Sequence, residues 1–447
     1  MNDQYPELYH SYQWWVPSQF NIAQACLYRW AGNPSDARRT ALIHHGARHD
    51  RQTHTYAQLA LTTSQLANGL QKMGVQPGDR VALLMGQSPK CAAALMAILA
   101  TGAIAVPFTT NLTTPELSYC LNNSGVRVAI ADKLSLPGLV TAQSHCPQLG
   151  QIISADIEHE LAISWRTLLA RQTGTFTPVA TRSSSPALLL YGKQHQGENL
   201  YGVSLAHGTL IGNLPGFVCV QNWCPVPGDI FWTPHDWRSA SGLLNALLPA
   251  MYFGVPLLST EAPVSPDAAL DLILNNRITN ILISTQALNR VLGPYAKNAI
   301  TEPLVLPHLR AIALEGKDPA GTTSRHCRHV LGVMPNAFFS TPETGCVIAQ
   351  SHEKWPTAPG SCGRPVPGHR IAVLDSAGLP CPPGHTGQLA VATHDIHDHP
   401  DPALFSGYWA DPTAQDTTLS NVAPWHLTHD YARIDTQGNV WLQNKPE

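Results

Sequence analysis

The chain has 447 residues, 44% of them hydrophobic and only 13% charged, so it can bury a sizeable core, and neither global disorder nor a short peptide-like module fits. Its 27 Lys and Arg against 30 Asp and Glu leave a formal charge of −3 with no long run of either sign, which excludes partners drawn in by bulk charge, nucleic acid and anionic membrane among them. At about 150 residues per domain the length suggests about three structural units, and any ligand must be recognised locally.

The ten cysteines form no CxxC pair and no regular framework, as expected of reduced thiols packed as small hydrophobes in a cytoplasmic protein. The opening MNDQYPELYHSYQWW carries acidic and aromatic residues where an export signal needs a basic start and an apolar stretch. The most apolar segment, Cys91 to Phe108, breaks at Thr101-Gly102 and is Ala-rich, which predicts a buried helix followed by a buried strand and no membrane span.

In chain order, the first clear element opens where Thr55 and Gln58 suit a capping box and Leu59, Leu66, Leu70 and Met73 recur at helical spacing up to Gly74. Gln76-Pro77-Gly78-Asp79 has turn chemistry, and residues 80–84 form an apolar run of strand length. A helix over 88–100, a strand over 103–107, a helix opening at Thr114-Pro115 and a strand over 126–131 complete an alternation that marks βαβ units. After a less regular stretch, 133–184, it resumes with strand 186–191, helix 207–219, strand 229–232, helix 239–251, strand 254–259 and helix 266–276. Strands follow at 279–284, 310–314 and 336–340. From Pro365 onward, frequent Gly and Pro separate short strands at 370–375, 387–393, 430–434 and 439–443, a β-rich texture.

Several segments bear on chemistry. Gly192-Lys193-Gln194-His195-Gln196-Gly197 follows a predicted strand and precedes a predicted helix, a position suited to an anion. Its composition favours a plain surface loop, since two Gly bracket four bulky polar residues where a phosphate-cradling backbone relies on Gly, Ser and Thr. Gly202-Val203-Ser204-Leu205-Ala206 is a weak match to a nucleophile elbow, with Ala in the fifth place. The histidine-dense stretches His44/His45/His49, His326/Cys327/His329 and His394/His397/His399 lack zinc-finger spacing and predict solvated loops rather than metal ligands. Glu343, just past an apolar run, suits either a Mg²⁺-coordinating carboxylate or an acid at a strand end. Asp430 suits either a ribose-binding acid or a turn residue.

The order of these segments resembles the large N-terminal domain of an AMP-forming acyl-CoA synthetase, an adenylate-forming ligase, and most nearly its medium-chain branch. The resemblance spans most of residues 20–447 and is carried by FNIAQACLYRWA (20–31), THTYAQLALTTSQLANGLQKMGVQPGDRVALL (53–84), ILATGAIAVPFTTNLTTPELSYCLNNSGVRVAIAD (98–132) and GLLNALLPAMYFGVPLL (242–258). It implies an α/β fold of two doubly wound, mostly parallel β-sheet subdomains flanked by helices plus a small β-rich subdomain, divided as 1–184, 185–364 and 365–447. It also implies that a carboxylate attacks the α-phosphate of ATP, pyrophosphate leaves, and coenzyme A displaces AMP. The implied ligands are ATP or AMP with Mg²⁺, coenzyme A and a small-molecule carboxylic acid, as in fatty acid metabolism.

Residue by residue, the resemblance places Gly192 to Gly202 at the family's phosphate loop, with Gly192, Lys193, Gly197 and Gly202 as candidate cofactor contacts and Tyr201 opposite the loop lysine. The loop's hydroxyl donors are replaced. Glu315-Gly316-Lys317 stands for a turn beside adenine, its acid exchanged for a base. In the family's Y-G-x-T-E-x-G motif, Phe339 stands for the adenine-stacking Tyr, Ser340 and Thr341 follow it, Pro342 replaces the phosphate-facing Thr, and Glu343 is the Mg²⁺-binding catalytic carboxylate. Asp430 of Thr428-His429-Asp430 corresponds to the ribose-binding acid. Lys445 stands near the family's hinge, with Glu447 at or beside its acidic residue. His235, Asp236 and Trp237 fall where relatives line the acid pocket. The sequence ends where the family continues into a small C-terminal domain carrying a catalytic lysine. The expectation is therefore a synthetase-like domain that is a poor catalyst by itself, completed by a separate protein, or a pseudoenzyme that binds nucleotide or acyl ligand or serves a partner as scaffold.

Overall fold

The helix Tyr56–Lys72 begins at the expected capping box: Oγ1 of Thr55 accepts from the Gln58 amide at 3.2 Å, and Oε1 of Gln58 accepts from the Thr55 amide at 2.9 Å. Its Leu59, Leu66 and Leu70 are buried against the neighbouring helix Pro89–Ala100, in which every residue from Cys91 onward is buried. The apolar segment is thus a core helix running into the central strand Ile104–Pro107. The computed structural model describes residues 2–46, 50–193, 200–261, 264–297, 304, 306–409 and 424–445.

Two large sheets form the body. One has eight strands in the order Gly407–Tyr408, Leu200–Ala206, Pro186–Lys193, Ile104–Pro107, Arg80–Leu84, Val128–Ala131, Gln151–Ser154 and Ile163–Ser164, with the last six mutually parallel. The other has nine, a parallel centre bordered by antiparallel edges at Arg51–Thr55 and at Gly345–Ala349 with Arg364–Pro365. A four-stranded antiparallel sheet follows, built from Ile371–Leu374, Gly387–Ala392, Trp425–Ile434 and Val440–Gln443. Strands from both sides of residue 184 share each large sheet, since Thr40–His45 pairs with Leu257–Thr260 and Pro186–Lys193 with Ile104–Pro107.

Two expectations change. The strand Leu200–Ala206 lies where a loop leading into a helix was predicted, antiparallel to Pro186–Lys193, so the candidate phosphate segment joins two strands and the helix starts only at Thr209. Val203 to Leu205 are buried, which is what holds this run in a sheet. Ser204 therefore sits in mid-strand, its carbonyl accepting from the Ser406 amide at 2.8 Å, and the nucleophile elbow is excluded. All ten cysteines are free, and nine are buried. No helix among the described residues is long and apolar enough to cross a membrane.

The helix Thr209–Val220 seats itself through two glycines. A Cβ on Gly212 would collide with the Ala403 backbone, and one on Gly216 with the Cys346 carbonyl. This close approach holds the strand Gly345–Ala349, at Cys346, and the Pro402–Ala403 backbone against the helix.

Candidate functional site

Glu343 occupies a tight turn joining Asn336–Thr341 to Gly345–Ala349. Pro342 presets the turn, and the Thr344 amide donates to Thr341 Oγ1 at 3.2 Å, so that hydroxyl serves its own backbone. The Ser340 hydroxyl accepts from Asn245 Nδ2 at 3.2 Å; Asn245 Oδ1 in turn accepts from Asn213, whose own Oδ1 accepts from the Cys346 amide at 2.8 Å. Asn213 and Asn245 were not singled out by sequence; buried amides inside apolar helices give no periodic signal.

The Glu343 side chain is buried, and its Oε1 accepts from the Tyr201 hydroxyl at 3.1 Å and the Tyr408 hydroxyl at 3.4 Å. The two rings meet edge-on with centroids 5.1 Å apart. Burial, and then the Glu343 charge, raises the Tyr201 pKa, so the phenol keeps its proton and donates. Tyr201 and Tyr408 come from adjacent antiparallel strands, with Tyr408 paired to Val203.

Magnesium would meet a partly engaged carboxylate here. Mg²⁺ takes oxygen lone pairs at about 2.0–2.1 Å in octahedral geometry. Two O–H groups already point at Oε1 of Glu343, and among the described residues no group of three His, Cys, Asp or Glu side chains converges to hold an ion. A cation carried in on substrate phosphates would therefore find Oε2 of Glu343, which accepts no hydrogen bond from a described residue, as the open carboxylate oxygen.

Gly192 pairs with Tyr201, and Lys193 is the last residue of its strand. Gly197 lies outside the described residues, as does Glu447. On the adenine side, Glu315 ends the strand Ala311–Glu315 and Gly316 turns the chain at φ +100°. A cavity of about 140 Å³ opens there, lined among others by Gly316, Lys317, Ala337, Ser361, Cys362 and Leu442. Phe339 is buried in the small apolar cluster that also holds Cys362, Ile348 and Val440. Burial pushes the Cys362 thiol up to about 12, with Asp430 adding to the rise and Lys317 opposing it, so both charges act at this wall of the cavity.

Asp430 projects from a bulge. Ala390 pairs with Leu427 and Gln388 with Tyr431, leaving Thr428, His429 and Asp430 against Leu389, with His429 at φ +64°. The Asp430 amide donates to Thr428 Oγ1 at 3.3 Å. Lys445 is exposed, just past the strand Val440–Gln443.

The segment expected to line the acid pocket is divided in role. Trp237 is buried in the main core, and Asp236 is held bidentately by Arg238, whose Nη2 lies 2.7 Å from Asp236 Oδ2. His235 reaches the other half of the site: its Nε2 is 3.3 Å from Glu315 Oε2. Burial lowers the His235 pKa against the opposing pull of Glu315, which leaves the imidazole neutral at pH 7. Gln87 Nε2 donates to the carbonyls of Thr233 and His235, tying this segment to the end of the eight-stranded sheet.

The histidine stretches take separate structural places. His44 and His45 stand in a strand rather than a loop, with ring nitrogens 2.9 Å from Ser259 Oγ and from Asn276 Oδ1, and His49 lies outside the described residues. His326, Cys327 and His329 lie on the helix Thr322–Leu331, and His397 Nε2 is 3.1 Å from the His10 carbonyl.

Residues 28–409 match the family model described as AMP-binding enzyme. The acetyl-coenzyme A synthetase of Pasteurella multocida is 24% identical, with 98% of this chain and 69% of that protein covered. The medium-chain fatty-acid–CoA ligase of Escherichia coli is 24% identical over 90% of this chain and 68% of its own length. Among solved structures, an acyl-CoA synthetase of Brucella canis superposes with a TM-score of 0.87 at 21% identity, covering 99% of this chain and 80% of that one. With most of its length matched and its sheets arranged as in that structure, the chain belongs to the AMP-binding enzyme family, alongside the acyl-CoA synthetases.

Proposed function

We propose that the chain binds an adenine nucleotide together with a small carboxylic acid, as acyl-CoA synthetases do, and forms an acyl adenylate only weakly by itself. The observation that carries this reading is the cavity lined by Gly316, Lys317 and Cys362, whose wall at Cys362 is reached by the charges of Lys317 and Asp430; the turn Glu315-Gly316-Lys317 and Asp430 are the two segments the resemblance assigns to nucleoside binding. The His235–Glu315 contact joins the acid-facing segment to this turn, so acid and nucleotide would be read side by side. Weak turnover follows from Tyr201 and Pro342, which supply no cation and no backbone donor where a triphosphate needs them. Coenzyme A as final acceptor, a hydrophobic acid and a cytoplasmic setting for the reduced thiols belong to this proposal.

Acid-dependent pyrophosphate release, with mass-spectrometric detection of acyl-AMP, tests it. Slow release that a panel of carboxylic acids stimulates supports the reading; no release with any acid, together with no nucleotide binding by calorimetry, removes it. A second reading, a pseudoenzyme that binds nucleotide without turnover, is favoured by the hydrogen bond from Tyr201 to Glu343. Nucleotide binding with no acyl-AMP at all selects it.

A further inference from the structure

We propose that the cavity between the N-terminal arm and the helix Thr209–Val220 is a second ligand site, shaped for an uncharged aromatic molecule that carries a hydrogen-bond acceptor. It shares no lining residue with the cavity at Gly316 and Lys317, and it stands apart from the nucleotide reading.

Four observations combine. First, the cavity holds about 350 Å³, within the range of small-molecule sites, and its walls are largely aromatic. Its floor is one helix face, on which Ile211, Leu214 and Val218 recur at helical spacing, while Gly212 and Gly216 of the same helix face Ala403 and Cys346. Tyr12 and Trp15 of the arm, with Trp223, Tyr252 and Phe253, offer rings on which a flat ligand stacks or packs edge-on.

Second, none of the described residues lining the cavity is charged. Arg29 and Lys354 lie over the rings of Tyr252 at 4.3 Å and Trp223 at 4.9 Å, and neither lines the cavity. An ionised ligand would lose its hydration there without a partner. Third, hydrogen-bond donors are open to it. Tyr5 and Tyr9 of the arm donate to the carbonyls of Pro365 and His369, each at 2.9 Å, which anchors the arm. The hydroxyls of Tyr12 and Tyr252 have no hydrogen-bond partner among the described residues. Burial raises the Tyr12 pKa, so that phenol stays a donor. Fourth, Asn222 and Trp223 sit at φ +47° and +61°, the second a costly conformation for a bulky side chain. The Trp223 amide on the Val218 carbonyl at 2.8 Å and Asn336 Nδ2 on Asn222 Oδ1 at 2.7 Å hold them there. The outcome of that strain is an indole set in the cavity wall.

Calorimetry on the whole chain with 2-acetylnaphthalene, its charged counterpart 2-naphthoate and plain naphthalene tests this. The ketone should bind about tenfold more tightly than naphthoate, since only the carboxylate is desolvated without a partner. Tyr12→Phe keeps the ring, and should weaken the ketone by about three- to tenfold while changing naphthalene by less than about twofold. Ile211→Trp fills the cavity and, checked for folding by circular dichroism, should weaken the ketone by at least about tenfold. Absence of ketone binding, or ketone binding that Ile211→Trp leaves intact, overturns the proposal. Naphthoate that binds as tightly as the ketone and is lost in the same variant overturns the assignment of an uncharged ligand.

Discussion

The Tyr201 hydroxyl lies 3.1 Å from Oε1 of Glu343, which links a strand of the eight-stranded sheet to a turn at the edge of the nine-stranded one. The bond joins a neutral donor to a buried carboxylate, the kind that costs more to lose than a neutral pair. Tyr201→Phe keeps the ring contact with Tyr408 and deletes only the hydroxyl. The expected loss is about 1–3 kcal/mol, seen as a lower urea midpoint with the denaturant slope unchanged. An unaltered midpoint would show that the bond contributes nothing.

Asn213 sits at the next level of support. Its side chain is buried, donates to the Leu244 carbonyl and to Asn245 Oδ1, and accepts from the Cys346 amide. Asn213→Ala strands that amide and the Leu244 carbonyl in the core, and should destabilise the protein by about 2–4 kcal/mol. Urea unfolding gives the magnitude. Acid-dependent turnover should fall as well, since the same network holds Ser340 and the Glu343 turn.

Two glycines in helices should respond in opposite directions. At Gly216 an added methyl meets the Cys346 carbonyl and sulfur, so Gly216→Ala should cost about 1–3 kcal/mol. At Gly138, in the helix Leu136–Gln143, nothing lies within 4 Å of the added carbon, and Gly138→Ala should gain about 0.5–1 kcal/mol. Equal thermal shifts in the two variants would contradict the packing described for the helix Thr209–Val220.

These contrasts show what the sequence exposes and what it hides. The strands over 80–84 and 279–284 carry the continuous apolar runs 81–84 and 281–283 because helices cover both faces of a parallel sheet, and they are legible within a residue or two. The strand Leu200–Ala206 was missed because Tyr201 and Gly202 interrupt its apolar run, and Thr40–His45 because it ends in two histidines. The site was legible as a set of residue types but not as a set of contacts. Tyr201 and Glu343 are 142 positions apart, and no spacing rule announces that the tyrosine replacing a lysine will turn its hydroxyl onto the carboxylate. Tyr408 gave no signal at all, since its place depends on a two-residue strand pairing with Val203.

Stability should fall in mild acid. Burial lowers the pKa of His207 and of His426 to about 4, against about 6.5 in an unfolded chain. The neutral His207 ring is also required structurally, because its Nδ1 accepts from the Ile22 amide at 3.2 Å. Between pH 6.5 and 4 the unfolded chain binds protons that the folded one refuses, so stability is full above pH 6.5 and is lost as pH drops through that window. Each group contributes up to about 1.4 kcal/mol per pH unit there. Urea titrations at pH 7.5, 6 and 5 should show the decline, and His207→Gln should flatten it; a constant unfolding free energy across the three would refute the assignment.

Lys317 offers a separation of binding from folding. It is exposed, it borders the cavity beside Gly316, and its charge reaches Cys362 together with that of Asp430. Reversing it in Lys317→Glu removes the one basic residue of the turn Glu315-Gly316-Lys317 and leaves no buried group without a partner, so thermal stability should stay within about 0.5 kcal/mol of wild type. Binding should divide by ligand charge. AMP should weaken by about tenfold at low salt, with the loss shrinking as ionic strength rises, because the interaction is a screened one between exposed charges. Adenosine, which carries no phosphate, should change by less than about twofold. A parallel loss for both ligands would mean that Lys317 shapes the cavity rather than charging it, and the electrostatic reading of this wall would have to be given up.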